Sequence, residues 1–450
     1  MQFELTEDFI ENIEQLIVEN KGDELRELLH QFHFADVAEL LEELSSDEAT
    51  YLVKLLESDL TSEALMELDD DVREKILDRL SPKEIAKELE EMDTDDAADI
   101  IAELDDDIQK KVIKRIKDGD HAADIIELLT YDEDTAGGLM AKELVQVKET
   151  WTIAGCVREM RRQAKNVTRV HSIYVTDKHG KLKGRLSLKD LLTAGEKAHV
   201  SDIYIDKVDF VSVDTENEEV ARIMQKYDLE AIPVVDKNGI LVGRITIDDI
   251  VDFIKDEADK DYQLAAGITG DVEADDSLFK LTRARLPWLL IGMFGGLGAA
   301  SIISGFETIF LKYPNLLLFI PLIQATAGNV GVQSSAIVVQ GLANDTLKGN
   351  IIGRLLKESA LALINGLSIA LVVLLISHFI FGTTYLESIS LAIALVAVII
   401  LAALIGTFVP IILDNRGIDP AVATGPFITT SNDVFGILTY FLIAKMILGF

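Results

Sequence analysis

Apolar and polar positions follow three different rhythms along this chain. Up to about residue 130, apolar residues recur at i, i+3 and i+4 with almost no strand-like alternation, which predicts helices throughout. A short phrase returns there: DVAELLEEL at Asp36 to Leu44, EIAKELEEM at Glu84 to Met92, DAADIIAEL at Asp96 to Leu104 and HAADIIELL at His121 to Leu129. Some copies are spaced by roughly 24 residues and others by roughly 12, the pattern of a short helical solenoid. Ala38, Ala86 and Ala123 are placed for close helix contact, and Ser45, Ser81 and Thr94 for N-caps.

From about Leu139 the rhythm becomes strand, helix, strand, strand, helix, twice over. HSIYVTDKHGKLKGRLSLKDLL (His171 to Leu192) and EAIPVVDKNGILVGRITIDDIV (Glu230 to Val251) align closely, with turns at Asp177 to Gly180 and Asp236 to Gly239. Phe253 to about Ala266 continues as a charged helix with no long apolar face, so it must rest on a partner. Gly267 to Asp276 is polar and contains glycine, which predicts a loose linker after a rigid element. Five apolar segments follow, near 287–306, 316–342, 358–382, 388–412 and 420–447, each about the ~20 residues that cross a ~30 Å hydrocarbon layer.

The expected architecture is therefore multidomain. An all-α helical solenoid (1–130) precedes two α/β modules (131–200 and 201–252), a connecting helix and linker (253–276), and an all-α membrane domain of five helices (277–450).

Charge separates these parts. The chain carries 77 acidic and 42 basic residues, net −35, and only seven of the acids lie beyond residue 277. So acidic a soluble part repels nucleic acid and gathers cations. One cysteine, Cys156, excludes an internal disulfide and a cysteine-rich metal site, and hints at a reducing cytosol. The start, MQFELTEDF, has no basic region followed by an apolar run, so no cleaved signal peptide is expected. With the soluble part in the cytosol, Lys280, Arg283, Arg285, Lys348, Arg354, Lys357 and Arg416 fall on the inner side and little beyond Lys312 on the outer. That predicts a multi-pass protein of the cell membrane with its C-terminus outside. An enzyme is not expected: no Walker loop, catalytic carboxylate pair or Ser/His/Asp ordering occurs, and the seven histidines show no ligand spacing.

Candidate chemistry gathers in two membrane segments. Asp433 lies inside the last one, with the otherwise uncharged run Val434 to Ile443 beyond it. A carboxylate there costs about 3 kcal/mol and usually faces a bundle interior or a watery path. Pro426, beside Gly425, loosens the helix in a way a protein-lined cavity tolerates. These features suggest a cation path with Asp433 on its wall; the alternative is a buried carboxylate satisfied by Thr429, Thr430 or Asn432. The second segment carries PLIQATAGNVGVQSS (Pro321 to Ser335), whose Asn329 and Gln333 join Asp433 and Thr429 in a set of oxygen donors without histidine or cysteine. Oxygen-only ligands suit a hard cation such as Mg2+, held hydrated. One carboxylate per chain is sparse, which argues for two copies around a shared pore.

Two resemblances sharpen this reading. The repeated hairpins with their G-x-x-[ST]-x-x-D endings (Gly184, Ser187, Asp190; Gly243, Thr246, Asp249) resemble a tandem pair of CBS modules over Leu139 to about Ile254. In that family the hydroxyl and acid, here Ser187 and Asp190, can hold the ribose of a nucleotide such as ATP; turn-capping is the other role open to them. The whole chain resembles the MgtE family of magnesium channels and transporters. The resemblance rests on YDEDTAGGLM (Tyr131 to Met140), the P-x-x-x-x-x-x-G-N-x-G-x-Q run from Pro321 and the D-P-A-x-x-x-x-P-x-x-x-x-x-x-D run from Asp419 to Asp433. It implies a homodimeric Mg2+-selective channel for magnesium uptake, with Asp433 as the pore acid. It also implies closure by intracellular Mg2+ bound at Asp95, Asp99, Glu216, Glu218, Asp228, Asp249, Asp252, Glu257 and Asp419. A coupled secondary transporter for Mg2+, Mn2+ or Co2+ is the alternative. Two departures stand out: Gly425 replaces the family's asparagine before the proline, and Lys260 stands where an acid is expected.

Overall fold

The computed structural model describes all residues except 1–4, 165, 166, 168, 196, 197, 271, 273, 275, 344–346, 348, 349 and 450. The chain forms two compact units, Met1–Lys255 and Asp256–Phe450.

The first unit opens with short helices: α1 (Glu7–Val18), α2 (Gly22–Leu29), α3 (Phe34–Glu43), α4 (Ser46–Leu55), α5 (Ser58–Met66), α6 (Asp70–Leu77), α7 (Pro82–Leu89), α8 (Thr94–Glu103), α9 (Asp106–Ile113) and α10 (Gly119–Leu128). Alternate helices stack, α3 on α5, α5 on α7 and α7 on α9 in one row, α4 on α6 and α8 on α10 in the other. The two spacings of the repeated phrase thus have one cause: one helix takes about 12 residues and a pair about 24. Ser45 and Ser81 cap α4 and α7 in capping boxes closed by Glu48 and Glu84.

Two expectations fail here. Thr94 is not the cap of α8 but its first residue, after Asp93; its hydroxyl is drawn into bonds with Lys142 and Glu143 instead. Ala38 and Ala86 are buried, but Ala123 is exposed, because no later helix of the stack covers that face of α10.

The rest of the first unit is the α/β pair. The first module has β1 (Val145–Lys148), α11 (Ile153–Gln163), β2 (Ile173–Thr176), β3 (Leu182–Leu186) and α12 (Leu188–Thr193). The second has β4 (Val211–Ser212), α13 (Asn217–Tyr227), β5 (Ala231–Val235) and β6 (Leu241–Thr246), then α14 (Ile247–Ala266). Each sheet pairs its first strand parallel to the second and the second antiparallel to the third. The hairpin turns work alike. Asp177 accepts from the amides of His179 (2.7 Å) and Lys181 (3.0 Å), and Asp236 from those of Asn238 (2.9 Å) and Ile240 (2.8 Å). Gly180 and Gly239 take the positive φ that each turn needs, +87° and +80°. The two tips then join, Leu182 N donating to Gly239 O (3.0 Å) and Leu241 N to Gly180 O (3.1 Å). Ala141 bridges to Arg244 and Ile205 to Arg185, so the lead-in of each module extends the sheet of the other.

The second unit takes in the end of α14 and then α15 (Leu278–Gly305), α16 (Glu307–Lys312), α17 (Ile320–Ala343), α18 (Ile351–Phe379), α19 (Tyr385–Asp414) and α20 (Gly425–Leu448). Among the described residues, five stretches are long and apolar enough to cross a membrane: α15, Pro314–Ala343, α18, α19 and α20. α15 and α18 begin earlier than their apolar stretches, at the caps Ser277 and Asn350, so each includes a charged first turn or two that hydropathy alone excludes. α17, α19 and α20 pack against one another, and α17 and α19 come close at Gly331 and Gly406, where a Cβ on Gly406 would meet the Gly331 backbone. Thr269 and Val272, in the stretch after α14 that composition predicts to be a loose linker, are both hydrogen-bonded. Gln263 bonds the backbone of Val272, Thr269 N donates to Ala284 O (3.1 Å), and the Trp288 indole donates to Thr269 Oγ1 (2.8 Å).

Candidate ion path and acidic cluster

In the second unit, α17 and α20 enclose a cavity of about 510 Å3 lined by Gln324, Ala325, Gly328, Asn329, Val332, Gln333, Thr429 and Asp433. All four residues singled out for an ion path lie on it. Helical spacing explains the grouping: Gly328, Asn329, Val332 and Gln333 fall on one face of α17, as Thr429 and Asp433 do on α20. Asp433 is half-buried, while Asn329 and Gln333 stand exposed at the cavity's open side. The Thr429 hydroxyl is occupied, donating to the Gly425 carbonyl (2.9 Å). The lining offers one carboxylate and several neutral amide and carbonyl oxygens, with room for a cation that keeps its water.

Next to the start of α20, Gly425 has φ +32°, and a Cβ there would run into the Ala265 carbonyl at the end of α14. The glycine therefore has a steric reason. Asp419 accepts from Ala421 N (2.8 Å) and raises the pKa of Asp261, second to burial as a cause. Glu257 is ion-paired with Lys260 at 3.2 Å, so the ammonium at the departing position sits on a carboxylate of its own helix.

In the first unit, carboxylate oxygens of Asp93, Asp95 and Glu143 all lie within 4.8 Å of one another. The start of α8 is stapled there. Thr94 N (3.2 Å) and Thr94 Oγ1 (2.8 Å) donate to Glu143, and Lys142 N donates to Thr94 Oγ1 (2.9 Å). Asp95 Oδ1 is buried without a partner. Burial, then Glu143, pushes Asp93 up to about 6, although the Arg244 guanidinium 3.5 Å away pulls the other way. Burial, with Asp96 and Asp249 beside it, holds Asp95 well above the usual carboxylate range, and Asp96 is pushed up to about 8 by burial and Asp249. Asp249 also rises, chiefly by burial, while bonds from Thr246 N and Oγ1 oppose the shift. So crowded a group stays ionised only beside a counter-cation, and oxygens at this spacing can close on one hard ion.

The other expected regulatory acids are more dispersed. Glu216 and Glu218 lie exposed at the start of α13, Asp228 exposed at its left-handed end, and Asp252 exposed on α14, whereas Asp99 on α8 is pushed up to about 7 by burial and by Glu133 and Glu103, with Asp249 a smaller cause. In the first α/β module, Ser187 Oγ donates to Asp190 (2.6 Å) and accepts from its amide (3.0 Å), so both groups cap α12. Asp93, Asp96, Glu143 and Asp261 escaped the sequence reading. Glu143 lies 48 residues beyond Asp95, and no spacing rule joins them.

Comparison with known proteins agrees with this arrangement. The profile described as "Divalent cation transporter" (MgtE) matches residues 320–443, "MgtE intracellular N domain" matches 32–134, and "CBS domain" matches 136–197 and 200–256. The chain is 36% identical over 329 residues to the magnesium transporter MgtE of Thermus thermophilus, covering 71% of this chain and 72% of that one. It is likewise 36% identical over 336 residues to the magnesium transporter MgtE of Enterococcus faecalis, covering 72% of each. Among solved structures, the cytosolic domain of the Mg2+ channel MgtE in complex with ATP is 36% identical, with a TM-score of 0.51 over 54% of this chain and 99% of that one.

Proposed function

The chain belongs to the MgtE family of magnesium transporters, and from that premise we propose that it forms a homodimeric, Mg2+-selective channel of the cell membrane, shut by intracellular Mg2+. It moves an ion rather than transforming a substrate. The cavity carries this reading: Asp433 attracts a divalent ion, and the side-chain oxygens of Asn329 and Gln333 and the carbonyls near Thr429 accept hydrogen bonds from its water shell. The exposed side of the cavity, bordered by Asn329 and Gln333, is where a second copy would supply the remaining wall.

Regulatory Mg2+ would be held by Asp95 with Asp93 and Glu143, and by Asp99, Glu216, Glu218, Asp228, Asp249, Asp252, Glu257 and Asp419. At Asp93, Asp95 and Glu143 it would supply the charge that lets the carboxylates stay ionised close together. An adenosine nucleotide at the α/β pair is part of the proposal, with Ser187 and Asp190 turning from their cap to the ribose. It is supported by the ATP complex of the similar cytosolic domain. The soluble first unit faces the cytosol, and the C-terminus lies outside.

The test is Mg2+ flux into proteoliposomes, comparing the native chain with Asp433→Asn while Mg2+ is titrated on the side of the soluble domains. Flux should fall at least about tenfold in the variant, and titrated Mg2+ should suppress native flux. Unchanged flux in Asp433→Asn would remove the path; native flux indifferent to internal Mg2+ would remove the gate.

A further inference from the structure

Asn432 is almost fully buried on α20, yet neither its side-chain oxygen nor its nitrogen has a hydrogen-bond partner. Unpaired amide atoms are costly inside a membrane protein, where water is scarce. The side chain sits directly on Gly331 of α17: a Cβ at that glycine would overlap its amide nitrogen. Gly406 of α19 also packs against the Gly331 backbone. Two more buried hydroxyls on these helices lack hydrogen-bond partners: that of Thr407, the residue after Gly406 on α19, and that of Ser335, one turn along α17 from Gly331. Asn432 and Asp433 are consecutive, so their side chains leave α20 about 100° apart. When Asn432 is wedged on Gly331, Asp433 is turned to the cavity.

We propose that Asn432 is a positioning residue for the pore acid, its amide seated on Gly331 and bonded to buried water shared with Ser335 and Thr407, so that the rotation of α20 is fixed. Water is the ligand that fits the chemistry. The amide presents two donors and an acceptor, which a metal cation would satisfy only in part, whereas water gives and accepts. Ser334, beside Ser335, is already engaged, its hydroxyl donating to Glu358 at 2.6 Å. The inference rests on Asp433 acting as the pore acid, and Asp433→Asn tests that separately.

The experiment uses the full chain in proteoliposomes, reading half-saturating Mg2+, maximal flux and the preference for Mg2+ over Ca2+ in Asn432→Leu, Thr407→Val and Ser335→Ala. Asn432→Leu should raise half-saturation about tenfold and erode the preference, because a turned carboxylate meets the hydrated ion poorly. Thr407→Val and Ser335→Ala should shift both readouts the same way by less. Asn432→Leu combined with Thr407→Val should be no worse than Asn432→Leu alone, since both lose one water. A loss of maximal flux with half-saturation and preference intact would mean packing alone and overturn the proposal, as would additive losses. If Asn432→Leu fails to assemble, the two hydroxyl variants decide, and native behaviour in both overturns it. Loss of flux in Asp433→Asn beside native behaviour in all three would reject the positioning role and leave the pore reading standing.

Discussion

The carbonyl of Ala265 lies so close to Gly425 that no other residue fits there without moving one of the two helices. Gly425 also takes φ +32°, which side chains resist. The end of α14 therefore rests on the start of the helix that carries Asp433. Gly425→Ala should loosen this seat and raise the internal Mg2+ needed for half-closure by roughly fivefold, the ratio for about 1 kcal/mol. Flux at graded internal Mg2+ measures it, and an unaltered midpoint would mean that the contact has no part in closing.

At the acidic cluster, Asp95→Asn should make the metal-free soluble part more stable, since it removes a buried charge crowded by Asp96 and Asp249. The same change should shrink the stabilisation that Mg2+ confers, which for one intact site reaches about 2.7 kcal/mol at a hundredfold excess over Kd. Hydrogen exchange of α8 with and without Mg2+ reports both effects. A variant protected by Mg2+ as strongly as the native chain would show that Asp95 is no ligand.

Cys156 is buried and its thiol is pushed up to about 11 by that burial. The neutral thiol is a poor nucleophile, so alkylation of the folded protein at pH 8 should be slow and should quicken about tenfold per pH unit until the thiol ionises. Unfolding should abolish the protection. Rapid labelling of the native chain at pH 8 would contradict the burial.

Ala86 and Ala123 occupy the same place in the repeated phrase but different places in the stack. Ala86→Leu should cost about 1–3 kcal/mol by overpacking, whereas Ala123→Leu should stay within about 0.5 kcal/mol. Thermal or denaturant midpoints of the two variants provide the comparison.

That pair also marks how far the chain could be read before folding. Periodicity located the helical stack, the doubled hairpins and the membrane helices, because each burial pattern repeats at a fixed local interval. It also brought Asn329, Gln333, Thr429 and Asp433 forward as polar residues in apolar surroundings. What it missed depends on contacts distant in sequence. Ala123 is uncovered because the stack ends, Thr94 leaves its cap for Glu143, and Thr269 is tied down by Trp288. Gly425, a departure from the family's asparagine, has its reason in the Ala265 carbonyl, 160 residues earlier in the chain.

The crossed bridges Ala141 to Arg244 and Ile205 to Arg185, with the joined tips at Gly180 and Gly239, interlock the α/β modules like clasped hands. Cutting the tandem at its midpoint would strip each half of a border strand that the other contributes. The smallest piece that evolution or an engineer can transplant from this region is therefore the doublet.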